Sequence, residues 1–189
     1  MVTTMSDQLA AGTTPKDELT LEQWAAMPED EPGELVDGRL EEEEMPDFVH
    51  ELIVTWLAHA FRSWLGGRGG FVGGSGAKFA VAPRRGRKPD LSVYLPGGGR
   101  PPRRGVIRLP PDLVVEVLSP DDRPRQVMDK VGEYLEAGTR LVWVIAPRPG
   151  RATVYRSLTD VSDLRLPEGV LDGEDVVPGF RCPLSSILG

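Results

Sequence analysis

The run PDLVVEVLSP, residues 111–120, constrains the fold of this chain more than any other stretch. Five of the six residues from Leu113 to Leu118 are branched aliphatics, the composition of a strand covered on both faces. Glu116 interrupts the run. An unpaired carboxylate in such a strand is strongly disfavoured, so Glu116 has to be protonated, paired with a cation or bound to a metal. Each of these solutions brings another segment of the chain, or an ion, to the strand.

The rest of the chain supplies elements to surround it. TLEQWAAM reads as a short helix, because Thr20 and Gln23 have capping-box spacing. GELVDGRLEEE reads as a hairpin turning at Asp37-Gly38. From Asp47 the apolar spacing becomes helical, with Val49, Leu52, Ile53, Trp56, Leu57, Ala60, Phe61 and Trp64 in one stripe ended by Gly66-Gly67. Short strands follow in GGFVGGSGAKFAVAP and KPDLSVYLP, then a loop over 96–110 leads into the Glu116 strand. RPRQVMDKVGEYLEAG is a second helix, with Pro124 in its first turn and Gly138 as its left-handed cap. RLVWVIAP is a buried strand with RATVYRS as its hairpin partner, and the tail carries turns and short strands. This order predicts an α/β or α+β domain with a central mixed sheet flanked by helices. Residues 1–17 are small and polar, the composition of a flexible arm, which leaves 18–189 as a single domain.

Composition narrows the function. The net charge of −7 argues against a protein that coats nucleic acid with its whole surface. Locally the sign reverses: Arg84, Arg85, Arg87, Lys88, Arg100, Arg103, Arg104 and Arg108 lie in a stretch whose sole acid is Asp90. The lone Cys182 excludes an internal disulfide, and it makes no zinc pattern with His50 and His59. The start of the chain lacks the charged end and apolar stretch of a signal peptide, and no segment approaches 18 consecutive apolar residues. The expectation is a cytoplasmic protein with no membrane partner.

Asp90 begins the strand before that of Glu116. If the two strands are neighbours, both carboxylates can lie on one face, where they would hold a hard divalent cation; Mg2+ binds through one or two carboxylates and retains waters for a phosphate substrate. The Val117 carbonyl at the strand end can add an oxygen. Such a site suits phosphodiester hydrolysis. Paired acids also serve glycoside hydrolysis, but aromatics at 6% are few for a sugar-binding cleft.

RKPDLSVYLP, PDLVVEVLSP, DKVGEYLEAGTRLVWVI and VPGF occur in order and at suitable separations, with GELVDGRL and the helix containing His50 ahead of them. On these motifs the chain resembles the Uma-type restriction endonuclease family of the PD-(D/E)XK nuclease-like superfamily, over roughly residues 20–185. The resemblance implies a restriction-endonuclease-like fold and DNA cleavage dependent on Mg2+ or Mn2+. It implies metal binding by Asp90 and Glu116, and a role for Glu34 as a further acid. The superfamily pattern has a lysine two residues after the glutamate, where this chain has Leu118; Lys130 matches a basic position following the glutamate strand.

Around this centre, Arg84, Arg85, Arg87, Lys88, Arg103 and Arg104 are expected to contact DNA phosphates, with His50 as a further phosphate contact or a structural histidine. Lys130 lies at the margin of its helix's apolar face and is expected to bring its ammonium to Asp90 and Glu116. Tyr134 and the tryptophans at 24, 56, 64 and 143 fall at core spacing. Cleavage of both DNA strands would be simplest with a homodimer. A catalytically silent module that keeps the scaffold and binds nucleic acid or protein is the second reading.

Overall fold

The computed structural model describes residues 18–28, 33–42 and 46–189. The proposed arm over 1–17 lies outside the described residues. Helix α1 spans Leu21–Ala26, with the Thr20/Gln23 capping box formed in both directions. The hairpin of β1 (Glu34–Val36) and β2 (Arg39–Glu41) turns through Asp37 and Gly38, both at positive φ. Helix α2 spans Phe48–Leu65; Asp47 accepts the His50 N–H at 2.9 Å at its start and Gly66 ends it in the left-handed conformation.

Strands β3 (Phe71–Gly74), β4 (Phe79–Ala82), β5 (Arg85–Arg87) and β6 (Leu91–Tyr94) come next. The Glu116 run is β7 (Leu113–Val117), followed by helix α3 (Pro124–Ala137) and strand β8 (Leu141–Ala146). The chain continues through β9 (Arg151–Tyr155), β10 (Val161–Arg165), β11 (Val170–Asp172), β12 (Arg181–Pro183) and the short helix α4 (Ser185–Leu188).

Six strands form a mixed sheet in the order β10-β9-β8-β7-β6-β3. Its one parallel pair is β7 with β8, joined through α3, and the other pairs are antiparallel. Side-chain alternation divides the faces of β7. Leu113, Val115 and Val117 pack with Ile53, Leu57 and Phe61 of α2 and with Trp143 and Phe180. Val114 packs the other way, with Val131 and Tyr134 of α3 and Val142 and Val144 of β8. Glu116 shares that second face, beneath α3. No helix among the described residues is long and apolar enough to cross a membrane.

The structure is richer than the single mixed sheet expected from sequence. A separate four-stranded antiparallel sheet runs β2-β1-β5-β4, and β10 extends the main sheet at a segment with no alternation strong enough to reveal it. Helix α2 also departs from its predicted stripe: Ile53, Leu57, Phe61 and Leu65 are buried, whereas Val49, Leu52 and Trp56 face outward. Trp24 and Trp143 are core residues as their spacing suggested, but Trp56 is not, because the arc of apolar residues on α2 is wider than the arc the sheet can cover.

In the small sheet, alternation sends Arg85 and Arg87 to one face of β5 and Gly86 to the other. Gly86 is where the Trp24 ring of α1 rests: a Cβ added there would stand 2.2 Å from Trp24 Cζ3. Trp24 is held from its other end by a hydrogen bond from its indole N–H to the Gly33 carbonyl at 3.2 Å. Gly86→Ala should therefore destabilise the protein by about 1–3 kcal/mol through overpacking, measured by urea unfolding followed through tryptophan fluorescence. An unchanged midpoint would mean that the ring moves aside at no cost.

Candidate active site

Strands β6 and β7 are antiparallel neighbours, with Leu91 opposite Val115 and Ser92 opposite Val114. Continuing that register by one residue sets Asp90 opposite Glu116, and directly opposed residues share a face. The two acids separated by a long loop in sequence therefore meet at the end of β7. Asp90 is fixed twice: its Oδ2 accepts the Val117 N–H at 2.7 Å, and its Oδ1 lies 3.1 Å from His50 Nε2. Glu116 Oε1 accepts the Tyr134 hydroxyl proton at 2.7 Å, and its Oε2 lies 3.8 Å from Lys130 Nζ.

Lys130 also lies 3.1 Å from Glu34 Oε2. Glu34, whose sequence position beside a turn suggested exposure as readily as a site role, is buried. Its carboxylate accepts from Arg87 Nη1 and from the Lys88 N–H, each at 2.8 Å. Arg87 is buried as well and donates through Nε to Glu133 Oε2 at 2.5 Å. Arg85 pairs with Glu133 and, at 2.7 Å, with Asp37. The helix spacing of Lys130, Glu133 and Tyr134 puts all three on the underside of α3, so one helix turn supplies a cation, an acid and a hydroxyl to the same network.

The basic run is divided among several places. Arg85 and Arg87 line the cleft that contains Asp90 and Glu116, but both guanidinium groups are held by the chain's own carboxylates. Arg84 pairs with Glu18 at 2.6 Å and Arg108 pairs with Glu22. Lys88 is half-buried beside Glu34. Arg103 and Arg104 are exposed on a different cavity, beside Met27 and Lys78. The structure brings Glu34, His50, Asp90, Glu116, Val117 and Lys130 together in one cleft of ≈ 650 Å³.

Three features of the site escaped sequence reasoning. Tyr134, read as a packing group, is packed but also holds Glu116. Glu133 holds two arginines, and its only sequence signal was its spacing of three from Lys130. Arg123 and Arg125 line the same cleft and are exposed, and the described residues offer neither an ion-pair partner. Their clue was an R-P-R start to a helix, with no acid in the first turn to match its dipole.

Burial away from water pushes the Glu116 carboxyl up to about 8, opposed by Lys130, reinforced by the charges of Asp90 and Glu34, and opposed again by the Tyr134 bond. Glu34 is held below its ordinary value: burial would raise it, but Lys130, Arg87 and the Lys88 N–H outweigh that cost. His50 is raised because the hydrogen bond and charge of Asp90, with Glu51 and Asp47, exceed the effect of its burial. The described residues contain no cluster of three His, Cys, Asp or Glu side chains arranged as a complete ligand set. What Asp90, Glu116 and the Val117 carbonyl offer is a pair of carboxylates and a backbone oxygen, all hard donors. That donor set fits Mg2+ or Mn2+ retaining several waters, and a cation would relieve the buried charge on Glu116.

The raised Glu116 value fixes a sign. Above the ordinary carboxyl value of 4.5 the unfolded chain loses this proton while the folded chain keeps it until about 8, so folding stability falls as pH rises between the two. Glu116→Gln does not titrate. In chelator, its melting temperature should pull ahead of the parent's as pH rises from 5 to 8 and hold a constant lead of several degrees above that. Melting curves at pH 5, 7 and 9 check this; parallel pH profiles for the two proteins would overturn it.

No curated protein matches this chain. Among solved structures, it is similar to a crystal structure described as "a putative nuclease belonging to DUF820 from Anabaena variabilis ATCC 29413", with a TM-score of 0.78 and 20% identity over 90% of this chain and 97% of that one. At that identity the likeness establishes the fold. A family model described as "Putative restriction endonuclease" matches residues 19–185, nearly the whole chain. The order of motifs and the mixed sheet thus agree with the family match: the chain belongs to the Uma2 family.

Proposed function

We propose that this chain is a metal-dependent DNA endonuclease of the cytoplasm, with residues 18–189 working as one nuclease unit and Asp90, Glu116 and the Val117 carbonyl holding Mg2+ or Mn2+. The observation that carries this reading is the convergence of Asp90, Glu116 and Lys130 in one open cleft. When bound, the cation supplies Lewis acidity toward a phosphate oxygen and a water molecule. The chain does the rest. The Val117 N–H and His50 prevent Asp90 from swinging away, and Tyr134 fixes the rotamer of Glu116. Lys130 sits where its ammonium can meet the negative charge that grows on the phosphate, the part played elsewhere in the superfamily by the lysine that Leu118 replaces. Glu34, clamped by Arg87, keeps that ammonium in place.

Among the described residues, the cleft is lined by eight carboxyl groups and five permanent cations. Without a divalent ion it repels a polyanion, so DNA affinity should weaken in chelator. Of the cleft's cations, Arg123 and Arg125 are the ones for which the described residues supply no ion pair, and they are the best placed to take phosphates at its lip. Arg103 and Arg104, on another cavity, would engage DNA only if the duplex wraps beyond the cleft. Cutting both strands with one cleft per chain is simplest in a twofold pair.

Purified protein incubated with plasmid and single-stranded DNA should cleave with Mg2+ or Mn2+ and not with chelator, and Glu116→Ala should abolish cleavage. Lys130→Ala should lose about 100-fold or more in rate while keeping its circular dichroism and most of its Mn2+ binding. Full activity in that variant removes Lys130 from the mechanism. A parent that binds DNA but never cuts it returns the chain to the second reading, a silent nuclease-fold module binding nucleic acid or protein, which Leu118 at the superfamily's lysine position favours.

Phosphate contacts are read from the salt dependence of DNA binding, measured by anisotropy in the Glu116→Ala background. Replacing Arg123 and Arg125 with alanine should lower the slope by about 2. If the Arg103/Arg104 double variant shows that drop instead, the duplex is held on the other cavity.

A further inference from the structure

The outer face of α2 carries four of the seven large apolar side chains that are exposed among the described residues: Phe48 is 77% exposed, Leu52 53%, Val49 48% and Trp56 41%. These are not scattered. Phe48, Leu52 and Trp56 are four residues apart and form one continuous ridge along the helix, with Val49 beside it. The helix has already used its opposite face, through Ile53, Leu57 and Phe61, to cover the sheet. The outward ridge is therefore surplus to the core that the described residues form, and a contiguous apolar patch on such a helix marks an interaction site.

We propose that this ridge is a twofold interface with a second copy of the chain. The spacing argues for it. A ridge of i, i+4, i+8 residues is symmetric about its middle member, so two copies crossing at Leu52 bring Leu52 against Leu52 and Phe48 of each copy against Trp56 of the other. A different protein would need its own matching surface, whereas a second copy supplies one by symmetry. Charge permits it: Thr55, His59 and Ser63 continue the outward face, and the exposed Glu51 and Arg62 stand at its margins, roughly a quarter-turn of helix from Leu52.

Area sets the strength. With about 150–250 Å² for each aromatic side chain, the exposed parts of the four residues come to roughly 400 Å² per protomer. A standard stable interface takes about 800 Å² per partner, so the ridge supplies about half and the flanks of α2 the remainder. The pair should form at micromolar concentration and dissociate on dilution. It would also stiffen the helix that carries His50 to Asp90 from its inner side. The inference rests on the endonuclease reading only for its purpose, the pairing of two clefts; the association itself involves neither DNA nor metal.

The test is therefore done without either. Sedimentation velocity of the full chain over a range of micromolar concentrations should show a monomer–dimer equilibrium, and Leu52→Asp should weaken it by about 100-fold, the effect of a hot-spot residue, with unchanged circular dichroism. Leu52→Cys lies on the proposed axis. Mild oxidation should join two copies through that residue, while Met128→Cys, exposed on α3, should not cross-link at a comparable rate. The native Cys182 is buried and stays silent. A parent that remains monomeric throughout, a dimer that survives Leu52→Asp, or cross-linking no faster at 52 than at 128 would each overturn the proposal. Failure of DNA cleavage would leave it standing, and its failure would leave the endonuclease reading intact.

Discussion

Arg87 stands between Glu34 and Glu133, and the arrangement of the cleft depends on that buried contact. Glu34 belongs to the small sheet and Glu133 to α3, so one guanidinium ties two elements that share no backbone pairing. Removing Arg87 would leave two buried carboxylates each short of one cation, with Glu34 relying on Lys130 and Glu133 on Arg85, a loss that costs up to about 3–5 kcal/mol. The planar fork of arginine is suited to the task because it presents separate donors to the two acids at once. With α3 held in this way, Lys130 and Tyr134 are delivered to Glu116 as a consequence.

The cleft places four carboxylates in or near a low-dielectric setting and treats them differently. Glu34 and Glu133 are matched by arginines, and Asp90 is matched by a backbone N–H and a histidine. Glu116 has a hydroxyl and a lysine that Glu34 shares, and it is the one pushed up to about 8. The chain thus satisfies the acids that frame the cleft and leaves the acid at its centre undercompensated, the electrostatic condition in which a divalent cation is most welcome.

Helix α2 links this centre to the outside. Its inner face is part of the core and carries His50 to Asp90, and its outer face presents the apolar ridge. From sequence the two faces merge into a single wide stripe. Val49, Leu52 and Trp56 have the same hydrophobic character as Ile53, Leu57 and Phe61, and only the width of the covering sheet separates them. A stripe broader than one contact can bury tells of two contacts, but not which residues serve each.

The sequence by itself determined helices α1 to α3 with their boundaries, the hairpin at Asp37-Gly38, the buried β7 run and the order of motifs that identifies the family, but not the short α4 in the tail. These are local properties: capping, turn chemistry and hydrophobic period act over a few residues and leave a direct trace in the chain. The buried Glu116 also announced from sequence that a partner was required. Which partner it had was decided by tertiary structure. Tyr134 resembles any core aromatic until α3 is laid over β7, and Arg85 and Arg87 resemble a solvated basic run until β5 pairs with β1 and turns them toward Glu133 and Glu34. The division of the strands into a six-stranded, a four-stranded and a two-stranded sheet, and the sorting of the arginines into paired and unpaired, follow from contacts between segments far apart in sequence. Charge carries no address: a guanidinium's partner is set by where the fold places the nearest carboxylate, and that distance is written in the packing of the elements and not in their order.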